Sequence, residues 1–309
     1  MRSVVVADND GIVHSENLEV NAVDGCNLKC RSCSHASPLL RPKDFADPGQ
    51  TGVALRSLAR WLRVQHIRLQ GGEPLLHPDL LGLIDQIRGS NIAERIRLVT
   101  NGVLLARAEP AVWSAIDEVQ VSVYPGHEPS KDEISHWLER AMQHGVEVRL
   151  RPMSKFMESY SEQGTDDPVL VRRIYDTCLV AHVWRCYNVA DGRFYKCPQA
   201  HFLPKFLNTR ADDGIVIADD DSFGAALLAY LNADVPLESC RNCLGAVGKF
   251  FPHEEIRGVQ WRDPQRVPTE DLVDWEQLVK LENTQYVYSL IMRDRRAADA
   301  EAVVRLDRS

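Results

Sequence analysis

Residues 17–33 read Asn-Leu-Glu-Val-Asn-Ala-Val-Asp-Gly-Cys-Asn-Leu-Lys-Cys-Arg-Ser-Cys, a β-rich run that passes straight into three cysteines. The run Asn17–Val23 reads as a strand, and the thiols Cys26, Cys30 and Cys33 follow with spacing C-x3-C-x2-C. Three thiolates on one loop can hold three irons of a 4Fe–4S cube and leave the fourth iron open. A zinc knuckle needs a fourth ligand nearby, and His35, at an unusual spacing, is the local candidate.

Outward from that loop, strand-like and helix-like stretches alternate. Val53–Val64 carries a stripe of period 3.6 at Val53, Leu55, Leu58, Ala59 and Leu62 and predicts a helix. His66–Gln70 reads as a strand, Pro78–Ile87 as a helix, Arg95–Thr100 as a strand and Pro110–Ile116 as a short helix. Glu118–Tyr124 alternates strictly, Lys131–His144 is helical and Val146–Arg151 is a further strand. Such alternation implies right-handed crossovers and a parallel sheet, open or curled into part of a barrel. Ser154–Pro168 is polar and reads as a loop. Val183–Val189 and Arg193–Lys196 flank Asp191-Gly192 as a β-hairpin. The acidic stretch at Asp212, Asp213 and Asp219–Asp221 reads as solvated surface, lacking the pattern of a calcium loop. Asp271–Met292 predicts a terminal amphipathic helix.

The chain has 309 residues, 44% hydrophobic and 26% charged, which suits about two globular domains and excludes a disordered or collagenous chain. Nothing approaches the apolar run that a membrane helix needs, and MRSVVVADNDG at the N-terminus does not read as a secretory signal. A net charge of −8 argues against non-specific grip on nucleic acid or anionic lipid. The eight cysteines are therefore expected in a reducing, cytoplasmic setting, where metal or redox chemistry outweighs disulfides.

Polar groups gather where the strands end. Gly71-Gly72-Glu73-Pro74 follows the second strand, Thr100-Asn101-Gly102 the third, and Ser122 and Tyr124 close the fourth. Ligands of α/β folds bind at that rim. Two glycines let backbone approach a ligand, and a carboxylate there can receive an ammonium group.

With these motifs, residues 17–152 resemble the radical S-adenosylmethionine (radical SAM) enzymes, whose hallmark is the C-x3-C-x2-C loop after the first barrel strand. The resemblance implies a SAM-binding 4Fe–4S cluster on Cys26, Cys30 and Cys33, with SAM on its open iron. It implies that Gly71, Gly72, Glu73 and Pro74 hold the SAM amino group, with Asn101 beside them and Ser122 as a ribose contact. Reductive cleavage of SAM would give methionine and a 5′-deoxyadenosyl radical. One position departs from the family: Ser32 stands where an aromatic residue usually precedes the third cysteine.

A second constellation follows in the C-terminal half. Cys178-x13-Gly192-x4-Cys197 leads, 43 residues later, to Cys240-x2-Cys243. Four thiolates suit either zinc or an iron–sulfur cluster. The spacing resembles the SPASM/twitch extensions of radical SAM enzymes, which implies an auxiliary 4Fe–4S cluster on Cys178, Cys197, Cys240 and Cys243. Cys186 competes with Cys178 for the fourth position. If spare, it is either a small core residue or a hydrogen-atom donor. Arg149 and Arg151 share one side of a strand and, with Tyr124 and Cys186, are the candidate catalytic residues. His35, His201 and His253 are further pocket candidates.

The expected architecture is α/β: a partial (β/α)6, TIM-like barrel over 1–153, a linker or last barrel element over 154–175, and over 176–309 a small twitch domain with a β-hairpin and a C-terminal helix. The resemblance implies a radical SAM oxidoreductase or epimerase of antibiotic-biosynthesis type, similar to enzymes that dehydrogenate or epimerise aminoglycosides, aminocyclitols or sugars. Its partners would be a small-molecule substrate and a flavodoxin or ferredoxin electron donor, with no nucleic acid and no membrane. A peptide-modifying maturase and a non-catalytic iron–sulfur or zinc protein are the alternatives.

Overall fold

The computed structural model describes residues 4–207, 209, 211–256 and 259–284. Strands and helices alternate through the first half: β1 (Val13–Asn21), α1 (Pro48–Leu58), β2 (Leu62–Gln70), α2 (Leu80–Gly89), β3 (Ala93–Thr100), α3 (Pro110–Ala115), β4 (Glu118–Val123), α4 (Lys131–His144) and β5 (Glu147–Pro152). Local signals set these boundaries. Asp47 and Asp79 cap α1 and α2, and Ser130 and Glu133 form a reciprocal capping box at the start of α4. Gly145, left-handed at φ 71°, closes α4.

The five strands are parallel neighbours in the order β5-β4-β3-β2-β1. The chain then runs through β6 (Lys155–Met157), α5 (Pro168–Asp176) and α6 (Leu179–His182) to β7 (Tyr187–Ala190) and β8 (Arg193–Tyr195). β7 pairs in parallel with the other edge of β1, so the sixth parallel strand lies beside the first rather than after the fifth. β8 and β9 (Ile215–Val216) extend that edge antiparallel, giving an eight-stranded mixed sheet. The hairpin expected in a separate domain is thus part of the main sheet. An unpaired β1 edge would expose a row of backbone groups, and β7 satisfies them. Its turn is as the sequence implies: Asp191 and Gly192 both have positive φ, 51° and 71°, as a tight hairpin turn demands.

Three other stretches differ from the sequence reading. The helix expected over Val53–Val64 stops at Leu58, and Leu62 and Val64 join β2 opposite Val13 and Ser15. Leu62 and Val64 also fit a period of two, and sheet pairing decides between the periods. The stretch read as a loop over Ser154–Pro168 contains β6, which pairs antiparallel with β10 (Phe250–Pro252), 93 residues further on. The single terminal helix is broken: α9 (Thr269–Leu272) ends before Asp274, which caps α10 (Trp275–Asn283). The rest of that expected helix lies outside the described residues. Between β9 and β10, α7 (Pro198–Leu207) has already followed β8, and α8 (Phe223–Asn232) follows β9.

The two faces of the sheet are unlike. Leu18, Val20, Ile67, Leu69, Ile96, Leu98, Val119 and Val121 belong to a buried core with Leu55, Leu58, Leu83, Ile84, Trp113 and Trp137 of the helices. The alternate positions are polar: Asn17, Glu19 and Asn21 on β1, His66, Arg68 and Gln70 on β2, Arg97 on β3, Glu118 and Gln120 on β4, and Arg149 on β5. Parallel strands are ordinarily apolar on both faces, so this face is a departure that the fold must stabilise by pairing. Glu118, fully buried, does so. Its carboxylate meets Arg97 Nε at 2.5 Å, Arg95 at 2.9 Å, His66 Nε2 at 3.2 Å and Arg149 at 3.7 Å. Burial pushes the Glu118 carboxyl up, but the His66 bond and the Arg97 and Arg149 charges outweigh it and bring its pKa down to about 2. A smaller second core joins α5, residues 244–247, α9 and α10 through Leu170, Ile174, Leu244, Val247, Leu272 and Leu278. No helix among the described residues is long and apolar enough to cross a membrane.

Glu118→Ala leaves the buried Arg97 without its carboxylate and should lower the unfolding free energy by about 3–5 kcal/mol in urea titrations. Because the folded pKa lies below the unfolded one, this stabilisation is present above the unfolded value near 4.5 and fades as pH falls towards about 2. The Glu118→Ala and parent stabilities should therefore converge in acid; a gap that stays constant would contradict the assignment.

Candidate functional site

The cysteine loop begins where β1 ends, and backbone contacts decide its place. The Gly71-Gly72 turn after β2 docks edge-on against residues 23–25: Gly72 N–H donates to Val23 O at 2.7 Å and Glu73 N–H to Gly25 O at 2.9 Å. Only glycines fit. Gly71 has φ 148°, and a Cβ on Gly72 would stand 1.9 Å from Gly25 O. On the other side, Lys205 of α7 bridges Asp24 at 2.5 Å and Asp44 at 3.1 Å.

Beyond this anchor lie Cys26, Cys30 and Cys33, close enough to feel one another's charge. Burial pushes the Cys26 thiol up to about 12, with the Cys33 and Glu73 charges adding to it. Burial raises Cys30 further, reinforced by Cys33 and Cys26. Thiols so raised stay protonated unless a cation compensates them, which is what a metal cluster provides. Among the described residues, no three His, Cys, Asp or Glu side chains form a site for one metal ion. A four-iron cube spreads its thiolates over separate irons, so its three sulfurs need not meet at one point as the ligands of a single ion do.

Glu73 lies beside the loop, wholly buried, and caps the short turn Pro74–Leu76. Its carboxylate accepts from Thr100 Oγ1 at 2.7 Å, Asn101 N–H at 2.8 Å and Leu75 N–H at 3.2 Å. Burial nevertheless prevails over these three donors and lifts its pKa to about 7. Asn101 Nδ2 in turn reaches Asn27 Oδ1 at 2.6 Å and Cys26 Sγ at 3.6 Å. The ends of β2 and β3 therefore meet the thiol loop, as the rim motifs imply. Ser122, buried at the end of β4, hydrogen-bonds Tyr124, whose hydroxyl is pushed well up by burial and by the nearby Cys30 and Cys33. Tyr124 is accordingly a neighbour of the thiols, and its hydroxyl stays protonated at neutral pH.

Position 32 is explained by packing. Ser32, left-handed at φ 50°, clasps Ser159: Ser159 N–H donates to Ser32 Oγ at 2.8 Å and Ser159 Oγ to Ser32 O at 3.0 Å. The aromatic groups near the loop come instead from elsewhere. Tyr124 stacks on His253 at 4.8 Å, and Phe156 lies 4.9 Å from the same imidazole. His253 belongs to a segment that pairs with the cysteine loop through a Cys30–Glu255 bridge, and its Nε2 is 3.2 Å from Cys30 Sγ. Sequence reasoning had no means of joining residues 223 apart. His35, by contrast, turns to Gln70 Nε2 at 3.1 Å and packs on Phe202, and burial lowers it to about 4. His201 packs between Tyr195 and Phe202 and is lowered by burial to about 3.

Of the other catalytic candidates, Arg149 and Cys186 lie away from the loop, and Arg151 stands at the level of the rim. Arg149 is engaged by Glu118 and by Glu147 at 2.9 Å, midway along β5. Arg151 is exposed, level with Ser122. Cys186 immediately precedes β7, whose Tyr187 pairs with Leu18. That is beside the middle of β1 (Val13–Asn21), about 10 Å or more from the thiol loop at its end.

The second set gathers differently. Cys178 and Cys197 are buried and Cys240 and Cys243 half-buried, and they feel one another's charge: after burial, the charges of Cys243, Cys178 and Cys240 raise Cys197, and Cys243 and Cys178 raise Cys240. Burial and Cys178 push Cys243 up to about 12. The sulfur at position 178 also faces the N–H groups of Ala181 and Val180, which oppose its burial. Asp213, read from sequence as solvated, is buried and accepts from the N–H groups of Glu238 and Ser239 at 2.7 and 2.8 Å. It thus holds the turn that carries Cys240. Asp219 and Asp221 pair with Arg60 on the surface.

Comparison with known proteins adds the following. Residues 20–181 match the family model of the Radical SAM superfamily. GTP 3′,8-cyclase of Streptomyces coelicolor is 31% identical over 122 residues, 38% of this chain and 36% of that protein. Molybdenum cofactor biosynthesis protein 1 of Mus musculus is 33% identical over 127 residues, 39% of this chain and 19% of that protein. This chain thus aligns with about a third and a fifth of their lengths. Among solved structures, BtrN in complex with AdoMet and 2-DOIA has 17% identity and a TM-score of 0.40, covering 75% of this chain and 94% of that one.

Two outcomes test the anchor and its acid. Gly72→Ala forces a side chain into backbone and should cost about 3 kcal/mol or more in denaturant unfolding; a loss under about 1 kcal/mol would mean that the turn is not docked as described. For Glu73 the folded pKa of about 7 exceeds the unfolded 4.5, so its stabilisation is full below 4.5 and lost as pH rises through 7. The metal-free protein should lose about 3 kcal/mol over that span relative to Glu73→Gln, and parallel pH profiles would refute the shift.

Proposed function

The chain belongs to the radical SAM superfamily, and from that we propose that it is an enzyme that removes hydrogen from a carbon of a small, hydroxyl-rich substrate, in the manner of an aminocyclitol or sugar dehydrogenase. The chemistry supplied at the site by the family's cofactors is one-electron reduction of SAM to methionine and a 5′-deoxyadenosyl radical. Cys26, Cys30 and Cys33 would hold the 4Fe–4S cluster. Glu73 suits the SAM ammonium: an arriving cation favours the carboxylate over the protonated acid that burial favours alone, and three donors already fix its direction. Gly71, Gly72 and Pro74 keep that acid at the loop, and Asn101 and Ser122 offer polar contacts at the same rim. Cys178, Cys197, Cys240 and Cys243 would hold a second cluster, an electron acceptor suited to oxidation.

The observation that carries the substrate class is the polar sheet face. It ends at the thiol loop, and it retains buried polar atoms without a hydrogen-bond partner among the described residues: Asn17 Oδ1, Asn21 Oδ1 and both amide atoms of Asn188. Such atoms cost about 1–3 kcal/mol each unless water or a polar ligand meets them, which suits a substrate rich in hydroxyls. Dehydrogenation is the outcome favoured, since the second cluster would accept the electron that oxidation releases. A flavodoxin or ferredoxin would supply the electron.

The test is anaerobic reconstitution followed by turnover with SAM, a reductant and a panel of aminocyclitols and sugars. The reading expects about eight irons per chain, as two cubes require. It expects 5′-deoxyadenosine formation that Cys30→Ala reduces below detection, and a ketone product. Deuterium at a substrate carbon after reaction in deuterium oxide would favour epimerisation. Turnover of peptides alone would favour a maturase, and absence of both SAM binding and 5′-deoxyadenosine would leave a structural metalloprotein.

A further inference from the structure

We propose that His253 is a positioning residue of the cysteine loop that donates a hydrogen bond from Nε2–H to the Cys30 thiolate and so raises the reduction potential of the cluster held there. The inference rests on the assignment of that cluster to Cys26, Cys30 and Cys33, and adds to it a residue from the other end of the chain.

The contact is built rather than incidental. His253 Nε2 lies 3.2 Å from Cys30 Sγ, within the range of an N–H donor to sulfur. The ring is stacked on Tyr124, with centroids 4.8 Å apart and planes 29° from parallel, and Phe156, itself packed on Tyr124, meets it at 4.9 Å. Its backbone is fixed as well: His253 N–H donates to Ser154 O at 3.0 Å. The residues that follow pair with the loop itself. Arg31 N–H donates to Glu254 O at 3.0 Å, and Ile256 N–H donates to Lys29 O at 2.9 Å. Arg31 then ties Glu158 and Glu254 together and lies over the Phe251 ring at 4.2 Å. The imidazole is thereby aimed at one sulfur from three sides, and its orientation is set before any cluster binds.

The consequence follows from charge. Reduction adds an electron to a cluster whose negative charge is shared by its thiolates. A donor to one of those sulfurs stabilises the more negative, reduced state in preference to the oxidised one, and the potential rises. Hydrogen bonds to the sulfurs are among the general determinants of such potentials. The Ser159 clasp holds Ser32, two residues after Cys30, and so anchors the loop on the far side of the contact.

The test is an EPR-monitored redox titration of the reconstituted full chain. The cluster of this loop is identified as the signal that changes when SAM is added, since SAM occupies its open iron. His253→Phe keeps an aromatic ring for Tyr124 and removes the donor. It should lower the reduced-to-oxidised ratio at fixed potential about tenfold, equivalent to a midpoint about 59 mV lower. His253→Gln, which restores an N–H, should recover most of the shift. In the unsubstituted protein labelled with 15N-histidine, pulsed EPR should show one weakly coupled imidazole nitrogen, a readout that survives if both variants fail to fold. An unmoved midpoint in His253→Phe, or no nitrogen coupling, overturns the inference while leaving the cluster assignment intact. The strong coupling of a direct iron–nitrogen bond does the same. A chain that assembles no SAM-responsive cluster overturns both.

Discussion

Two backbone hydrogen bonds hold the candidate site together, those from Gly72 and Glu73 to the carbonyls of Val23 and Gly25. They join the end of β2 to the segment between β1 and Cys26, so the thiol loop and the buried acid are placed by one contact. Neither bond can form if a side chain stands between the two backbones, which is why two glycines occur in succession there. Everything nearer the chemistry inherits its position from this junction. Glu73 is brought beside Cys26, Thr100 and Asn101 reach Glu73 from β3, and Asn101 reaches Cys26.

The second constraint is the polar face of the sheet. A parallel sheet that carries arginines and carboxylates on one side stays folded because the charges are matched across strands, with Glu118 as the shared partner of three neighbouring strands. The arrangement is costly in desolvation and adds little net stability, but it keeps a surface polar where an ordinary core would be apolar. That surface leads to the thiol loop, and it ties the fold's least economical feature to the place where a polar ligand would sit.

Parts of this were legible in the chain of residues. The strict alternation of Glu118–Tyr124, the helical stretch Lys131–His144 and the Asp191-Gly192 turn each depend on neighbours in sequence, and each stands where those neighbours imply. The end of α1 was not legible, because Leu62 and Val64 satisfy a helical and a strand period equally until β1 is available to pair with them. Asp213 looked like surface because its partners, the N–H groups of Glu238 and Ser239, are 25 and 26 residues away. Arg149 looked free to meet a ligand because nothing in its own strand discloses Glu118 across the sheet.

The sequence alone determined which atoms are available for chemistry: three thiols on one loop, an acid behind two glycines, and a later set of thiols near a hairpin. The first of these follows from covalent spacing, since residues three or four apart on a loop cannot be far apart in space. Only the tertiary structure decided which of the distant groups meet. It put Cys178 within reach of Cys197, Cys240 and Cys243, left Cys186 beside the middle of β1, and brought His253 to Cys30. Contacts across hundreds of residues are set by sheet order and by which edge remains open to pairing, and no local pattern of side chains encodes that choice.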